Sequence, residues 1–368
     1  MNHFLYIVLK KTRLNRWIYN IRKSACHEYA DMMHLGVSNA RNMLDILRKD
    51  PKSSCICRNE IDDKPEYDLQ IIIPAYNVEK YIAECLDSVL AQRTKYKYIL
   101  KVINDGSTDG TMRVLEKYKN KESVHIMHQK NQGLSGARNR GLRKIEARYV
   151  MFIDSDDKLA LGAIESLMDM AEKTRADIVE GASRKFYKCV TTKRYHHVDC
   201  EKITAERLFG FAWGKVYKAE LFANIQFPEG YWFEDTICSL VLYSLAKKIS
   251  SIKHQVYCYR TNFSGISRTF GGNPKCIDSF YISEQLLLDR EKLGLSMDDS
   301  WSSKIATQFR LNSNRASSLN NEEVDKALFI LQSYLLKKYF GHTKISDPVV
   351  KSLLENDYTT FKLQMKWM

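Results

Sequence analysis

Several common classes are excluded by what this 368-residue chain lacks. Its nine cysteines include no paired Cys-x2-Cys spacing, and Cys55 and Cys57 are the only close pair. That rules against a zinc ribbon and fits thiols kept reduced in a cytoplasm. No RNP-like aromatic signature and no long Lys/Arg block occur, so the net charge of +13 is not read as a nucleic-acid footprint. An anionic membrane surface or anionic sugar phosphates remain as partners for it. Internal repeats and low-complexity tracts are missing. The N-terminal apolar run Phe4–Leu9 is six residues long, far short of the ~20 that a spanning helix needs.

No acidic residue precedes Glu28. The basic residues Lys10, Lys11, Arg13, Arg16, Arg22 and Lys23 follow the apolar run, an order that argues against a secretory leader. Aromatic and aliphatic residues from Trp17 to Ile21 are interleaved with them. Residues 1–24 therefore read either as a peripheral contact with an anionic membrane or as an amphipathic helix packed on its own domain. The polar stretch Lys52–Pro65 reads as a linker, which closes an N-terminal extension of residues 1–66.

From Leu69 the rhythm alternates. Apolar strand-length runs at Leu69–Ile73, Tyr98–Ile103, Val124–Met127 and Tyr149–Ile153 are separated by helical patterns, with helices expected over Thr108–Tyr118 and Leu134–Ile145. Such alternation implies an α/β domain with parallel strands and right-handed crossovers. Tyr187–Val198 reads as a polar hairpin, Asp235 opens a helix, and residues 271–368 are helical in pattern.

Three of the apolar runs end in polar tips. These are Pro74-Ala75-Tyr76-Asn77, Asn104-Asp105-Gly106-Ser107, and Asp154-Ser155-Asp156-Asp157. In an open α/β sheet the carboxyl ends of parallel strands line one crevice. Asp105, Asp154 and Asp156 would then meet, with no His or Cys beside them. That donor set suits a hard divalent cation and a phosphorylated substrate. In the first tip Asn77 is a candidate helix cap and Tyr76 a surface for a planar base, though any strand–turn–helix junction could look alike. Arg138, in the small-residue helix that opens at Gly133, could reach a nucleotide or hold the acidic tips. Asp109-Gly110-Thr111 resembles part of a haloacid-dehalogenase phosphatase signature, but Ser107 stands where that chemistry needs a second aspartate.

Together, Pro-Ala-Tyr-Asn, Asn-Asp-Gly-Ser-Thr-Asp-Gly-Thr, Asn-x-Gly-x-Ser-x-Ala-Arg-Asn-x-Gly and Phe-Ile-Asp-Ser-Asp-Asp resemble the family 2 inverting glycosyltransferases, closely over about residues 69–185. The resemblance implies a GT-A (Rossmann-like) fold, a mixed, mainly parallel sheet flanked by helices, over residues 67–270. Its nucleotide-binding half would span about 69–160 and its acceptor half about 161–270. It implies a nucleotide-diphosphate sugar donor, usually a UDP-sugar, with Pro74, Tyr76 and Asp105 at the base and ribose. Asp154 and Asp156 would sit at ribose, metal and pyrophosphate, Asp156 being the direct ligand of Mg2+ or Mn2+. Asp235 would be the general base and Glu234 its neighbour. Without the resemblance, both read as acids favouring a helix N-terminus.

Lys215 could face the diphosphate or the acceptor, Arg260 could neutralise the diphosphate, Trp213 could stack on a sugar, and Ser264–Arg268 completes a Tyr-Arg…Ser motif. The expected acceptor is a glycan or polyprenyl-linked glycan in bacterial surface polysaccharide or capsule synthesis, at the cytoplasmic side of the membrane. Two rivals remain: a nucleotidyltransferase, disfavoured because the first tip carries no Gly-rich basic loop, and a non-catalytic nucleotide-sugar or glycan-binding protein.

Overall fold

In the computed structural model the described residues are 36–188, 190–263, 265, 269–341 and 347–366. The expectations attached to residues 1–24 and to Ser264–Arg268, Gly265 apart, lie outside them. The chain divides into two compact units, one of residues 51–269 and 281–295, the other of residues 1–50, 270–280 and 296–368.

The larger unit carries the strands. In chain order they are β1 (Glu60–Ile61), β2 (Tyr67–Ala75), β3 (Tyr98–Asp105), β4 (Val124–Gln129), β5 (Lys144–Ile145), β6 (Ala147–Phe152), β7 (Lys158–Leu159), β8 (Ile178–Tyr187), β9 (Val190–Tyr195), β10 (Lys215–Lys218) and β11 (Ile249–Arg260). One sheet runs β4-β3-β2-β6-β10-β8-β11-β7, with β9 added alongside β8. Strands β4, β3, β2 and β6 are parallel, whereas β10 is antiparallel to both β6 and β8. Leu69, Ile71, Ile72 and Ile73 are fully buried, as a central parallel strand covered on both faces requires.

The helix Ile82–Leu90 buries Ile82, Cys85, Leu86 and Val89, a spacing of three and four residues that lays one stripe on the sheet. Gly141 lets the helix Gly133–Leu142 approach closely: a Cβ there would sit 2.7 Å from Ile72 Cγ2.

Some expected boundaries shift. The helix expected to reach Ile145 ends at Leu142, because Lys144 and Ile145 pair in parallel with β1. The helix expected over Thr108–Tyr118 is Thr111–Leu115 followed by a 3-10 turn. Lys52–Pro65 is no free linker. Ile56 bridges Ile225, and the Asn59 amide donates to the carbonyls of Phe222 and Ile225, so its polar groups are used within the larger unit. Asp235 lies in a turn, and the helical segment after it carries a π-helical stretch at Cys238–Leu242.

In the other unit the helix Val37–Leu47 packs on Glu322–Phe340, and Arg48 pairs with buried Asp278 at 2.9 Å. Among the described residues no helix is long and apolar enough to cross a membrane.

Candidate active site

The first two tips are stapled to each other. Asn77 adopts φ 51°, and its side-chain oxygen accepts from the backbone N–H of Thr108 at 2.8 Å. In return the Asn77 N–H donates to Ser107 Oγ, and Glu79 N–H donates to Asp109. Asn77 is thus not the cap of the following helix, which starts only at Ile82. Pro74 is buried within β2, opposite Ile103. Strand alternation aims its missing N–H toward β6, where the ladder has already stopped at Ile72 and Phe152. Tyr76 is half exposed at the tip.

Asp105 is 2% exposed at the end of β3. Its Oδ1 accepts from Gln129 Nε2 at 2.7 Å and from Gln132 N–H at 2.8 Å, and its Oδ2 from Gly133 N–H at 2.9 Å. It therefore fixes the loop that launches the helix carrying Arg138.

Arg138 is the hub. It is 1% exposed, lies 5.0 Å from the Phe227 ring centroid, and spreads its fork over three acids. One guanidinium nitrogen reaches Glu234 at 2.7 Å and Asp235 at 3.2 Å; the other reaches Asp154 at 2.9 Å. Burial opposes the charge of Arg138, but Asp235, Asp154 and Glu234 outweigh it and hold its pKa above the ordinary value. For Asp235 the balance goes the other way. Burial raises its carboxyl, Arg138 pulls it back, Glu234 and Asp154 push up again, and the result is about 7. The side chain keeps 28% of its surface exposed, so it can meet an incoming group. Phe233, just before this pair, holds φ 64°, a conformation that costs a bulky residue about 1–3 kcal/mol and is concentrated at functional sites.

The third tip is held by β11. The Tyr257 hydroxyl accepts from Asp154 N–H at 3.1 Å and donates to Asp157 at 2.8 Å. Arg260 donates through Nε to the Asp156 carbonyl and through its backbone to Asp157, both at 2.6 Å, while its guanidinium lies between the Tyr81 and Phe186 rings and pairs with Glu84. Burial lifts the carboxyls of Asp156 and Asp157 above the usual range, with neighbouring acids adding to it. Asn262 donates to Asp156 Oδ2 at 2.9 Å.

Among the described residues no group of three or more His, Cys, Asp or Glu side chains is placed to hold a metal alone. The donors present still fit Mg2+ or Mn2+, because Asp154 and Asp156 each keep one carboxylate oxygen outside the hydrogen bonds above. Such ions take one or two carboxylates and complete their shell with water and substrate phosphates.

Two expectations fail on burial. Lys215 is fully buried, donating to the carbonyls of Phe211 at 2.8 Å and Trp213 at 3.3 Å and pairing with Glu180 at 2.5 Å. It cannot touch a diphosphate there; it is an internal counter-charge that also lowers Asp235. Trp213 is 4% exposed and stacked between Phe211 and Tyr257 at 4.5 and 4.4 Å, so no sugar face is free to meet it. Conversely, Tyr257 and Asn262 had been given no role. Tyr257 carried a usable signal, since it lies two residues before Tyr259 on the same strand face.

Residues 70–238 match the family model described as Glycosyl transferase family 2. The chain is 31% identical over 229 residues to the glycosyltransferase GlyA of Streptococcus pneumoniae, covering 57% of this chain and 32% of that protein. It is 31% identical over 211 residues to the uncharacterized glycosyltransferase EpsJ of Bacillus subtilis, covering 53% and 61%. The chain thus spans about a third and about three fifths of the lengths of these relatives. Among solved structures, S. aureus TarS 1–349 in complex with UDP-GlcNAc superposes with a TM-score of 0.54 at 19% identity, covering 81% of this chain and 90% of that one. At this identity the likeness establishes the fold.

Proposed function

Since the chain carries a glycosyl transferase family 2 domain with the GT-A fold, we propose that it transfers a sugar from a nucleotide-diphosphate sugar to a hydroxyl of a glycan or lipid-linked glycan in surface polysaccharide synthesis, with inversion. One observation carries this reading. The Arg138 fork gathers Asp154 from the strand-end tip and Glu234 and Asp235 from a loop about eighty residues after that tip into one cluster.

A single displacement at the anomeric carbon needs a base on the face opposite the leaving diphosphate, within hydrogen-bond reach of the attacking hydroxyl. Asp235 has an exposed edge for that proton and a pKa poised near neutrality. Glu234, 6% exposed, positions it through the shared Arg138. A divalent cation on Asp154 and Asp156 would neutralise charge on the leaving diphosphate. The UDP-GlcNAc complex of the TarS neighbour supports a UDP-sugar as donor. The setting is the cytoplasmic face of the membrane, with residues 1–24 as a peripheral contact.

The test is Asp235→Asn. UDP binding by calorimetry should stay within about twofold, while transfer to an acceptor falls by roughly 10²–10⁴-fold, the usual worth of a general base. Full transfer by this variant removes the base assignment. Absence of nucleoside diphosphate release by the wild type with every common sugar nucleotide and Mn2+ would favour a binding protein instead.

A further inference from the structure

The loop that carries Glu234 and Asp235 has little structure of its own. Between the isolated bridge at Ile225 and the helical segment that opens at Thr236 it forms neither strand nor helix. Its position is therefore imposed by what it touches, and a base serves only where it is held within reach of the attacking hydroxyl.

Residues 51–59, which lie ahead of the family domain, run along this loop and supply much of that hold. Ile56 bridges Ile225 in antiparallel fashion. Cys57 N–H donates to the Asn224 carbonyl at 3.1 Å, and Gln226 N–H donates to the Cys55 carbonyl at 2.8 Å. Past the bridge Ser53 takes over. Its Oγ accepts from Glu229 N–H at 2.8 Å, and its own N–H donates to the Tyr231 hydroxyl at 3.2 Å. Pro51 lies so near that a Cβ at Gly230, where φ is 84°, would stand 3.1 Å from Pro51 Cβ. Lys52 holds φ 54°, a backbone that a residue other than glycine keeps only where its surroundings enforce it. The segment is itself anchored: buried Asp289 accepts from Cys55 N–H at 2.7 Å and from Ser54 Oγ at 2.9 Å.

The helix of Arg138 holds the same loop. Asn139, 5% exposed, accepts from Phe227 N–H and donates to the Phe227 carbonyl, both at 2.8 Å, and donates to the Glu229 carboxylate at 2.9 Å. The Phe227 ring, against Arg138, meets Phe152 edge-on at 5.2 Å, just ahead of Asp154. Glu229 is thus gripped twice shortly before the two acids, at its side chain by Asn139 and at its N–H by Ser53.

We infer that residues 51–59 form a strap that positions the proposed base, with Ser53 as the residue that fixes the Glu229–Tyr231 turn and, through it, the reach of Asp235. The inference rests on the transfer reading above, because it assigns the strap to the base of that reaction. Ser53 is a positioning residue and acts through the loop. Asp105 and Asp154 hang on other bonds, so donor binding is independent of it.

The test compares the full chain with Ser53→Ala, which deletes the acceptor for Glu229 N–H, and Ser53→Thr, which keeps the hydroxyl. In Ser53→Ala kcat should fall by about tenfold or more, since a misplacement of about 1 Å can cost about 10²-fold. UDP affinity and donor KM should stay within about twofold, and Ser53→Thr should restore kcat. On the base role of Asp235, the acidic limb of kcat/KM should move to lower pH in Ser53→Ala. Burial is the first cause that raises this carboxyl, and a loosened loop admits water to it, while Arg138 and Lys215 pull it down and Glu234 and Asp154 push it up. Amide exchange reads the strap without any transfer: it should quicken at Glu229 and over residues 231–235 in Ser53→Ala and not in Ser53→Thr. Faster exchange in the variant, with a wild type that releases no nucleoside diphosphate from any common sugar nucleotide, keeps the strap and sinks the transfer reading. Unchanged exchange overturns the proposal. So does an active enzyme whose Ser53→Ala form keeps kcat within about twofold, a loss that Ser53→Thr does not restore, or a loss matched by an equal drop in UDP-binding stoichiometry.

Discussion

Replacing Arg138 with Met keeps most of the side chain's apolar stem and deletes the charge that three acids share. The site is dry on the arginine side: 1% of Arg138 and 8% of the Glu234 side chain are exposed, against 24% for Asp154 and 28% for Asp235. Breaking a buried pair by removing one partner costs about 3–5 kcal/mol, because the remaining charges stay desolvated. At roughly 2–4 °C per kcal/mol for a domain of this size, the unit's melting temperature should drop by about 6–20 °C.

The loss should depend on pH with a definite sign. Asp235 has a folded pKa raised from 3.8 to about 7, so between those values the folded chain holds a proton that the unfolded chain releases, and stability declines as pH rises through that window. Without Arg138 the decline runs on to higher pH, since its charge was pulling the Asp235 pKa down. Urea melts of both proteins at pH 5 and pH 8 measure this, with the larger penalty expected at pH 8. On the proposed base role of Asp235, the acidic limb of kcat/KM should fall near 7 in the wild type and at higher pH in the variant. A penalty below about 1 kcal/mol, or one that is flat from pH 5 to 8, refutes the account of Arg138 as the shared counter-charge.

Gly141→Ala should destabilise by about 1–3 kcal/mol in urea melts, because its Cβ would overpack Ile72 in a fully buried seam; an unchanged midpoint would mean that the helix can retreat from the sheet at no cost. Asp105→Asn turns an acceptor of three hydrogen bonds into a group with a donor face. It should cost about 1–3 kcal/mol and speed hydrogen exchange at Gln132 and Gly133, and unaltered exchange there would rule out the loop-fixing role.

Much of the site could be read in the sequence where a residue's setting is local. Asp105, Asp154 and Asp156 each follow an apolar run of strand length, so their places at or just past a strand end follow from periodicity. The partners of Arg138 could not be read that way. Asp154 is sixteen positions away and Asp235 ninety-seven, and no pattern of spacing reports a fork that closes across the sheet. Lys215 and Trp213 misled for a related reason. Cation and indole look alike in sequence whether they line a cleft or plug its floor, and the carbonyls that swallow the Lys215 ammonium belong to backbone, which carries no residue code. The extent of the helix before Lys144 depended on a two-residue pairing with β1, too short to leave an apolar signal. Asn77 was misjudged because capping and cross-loop stapling both use the same short amide.

The bonding of Asp105 also sets a limit on recognition at the base and ribose end of the proposed donor site. A carboxylate offers about four acceptor positions, and three are filled by the chain's own N–H groups. Whatever ligand arrives can add a single contact there. Selectivity between one nucleobase and another then has to be assembled from ring stacking and shape, with this acid contributing one vote.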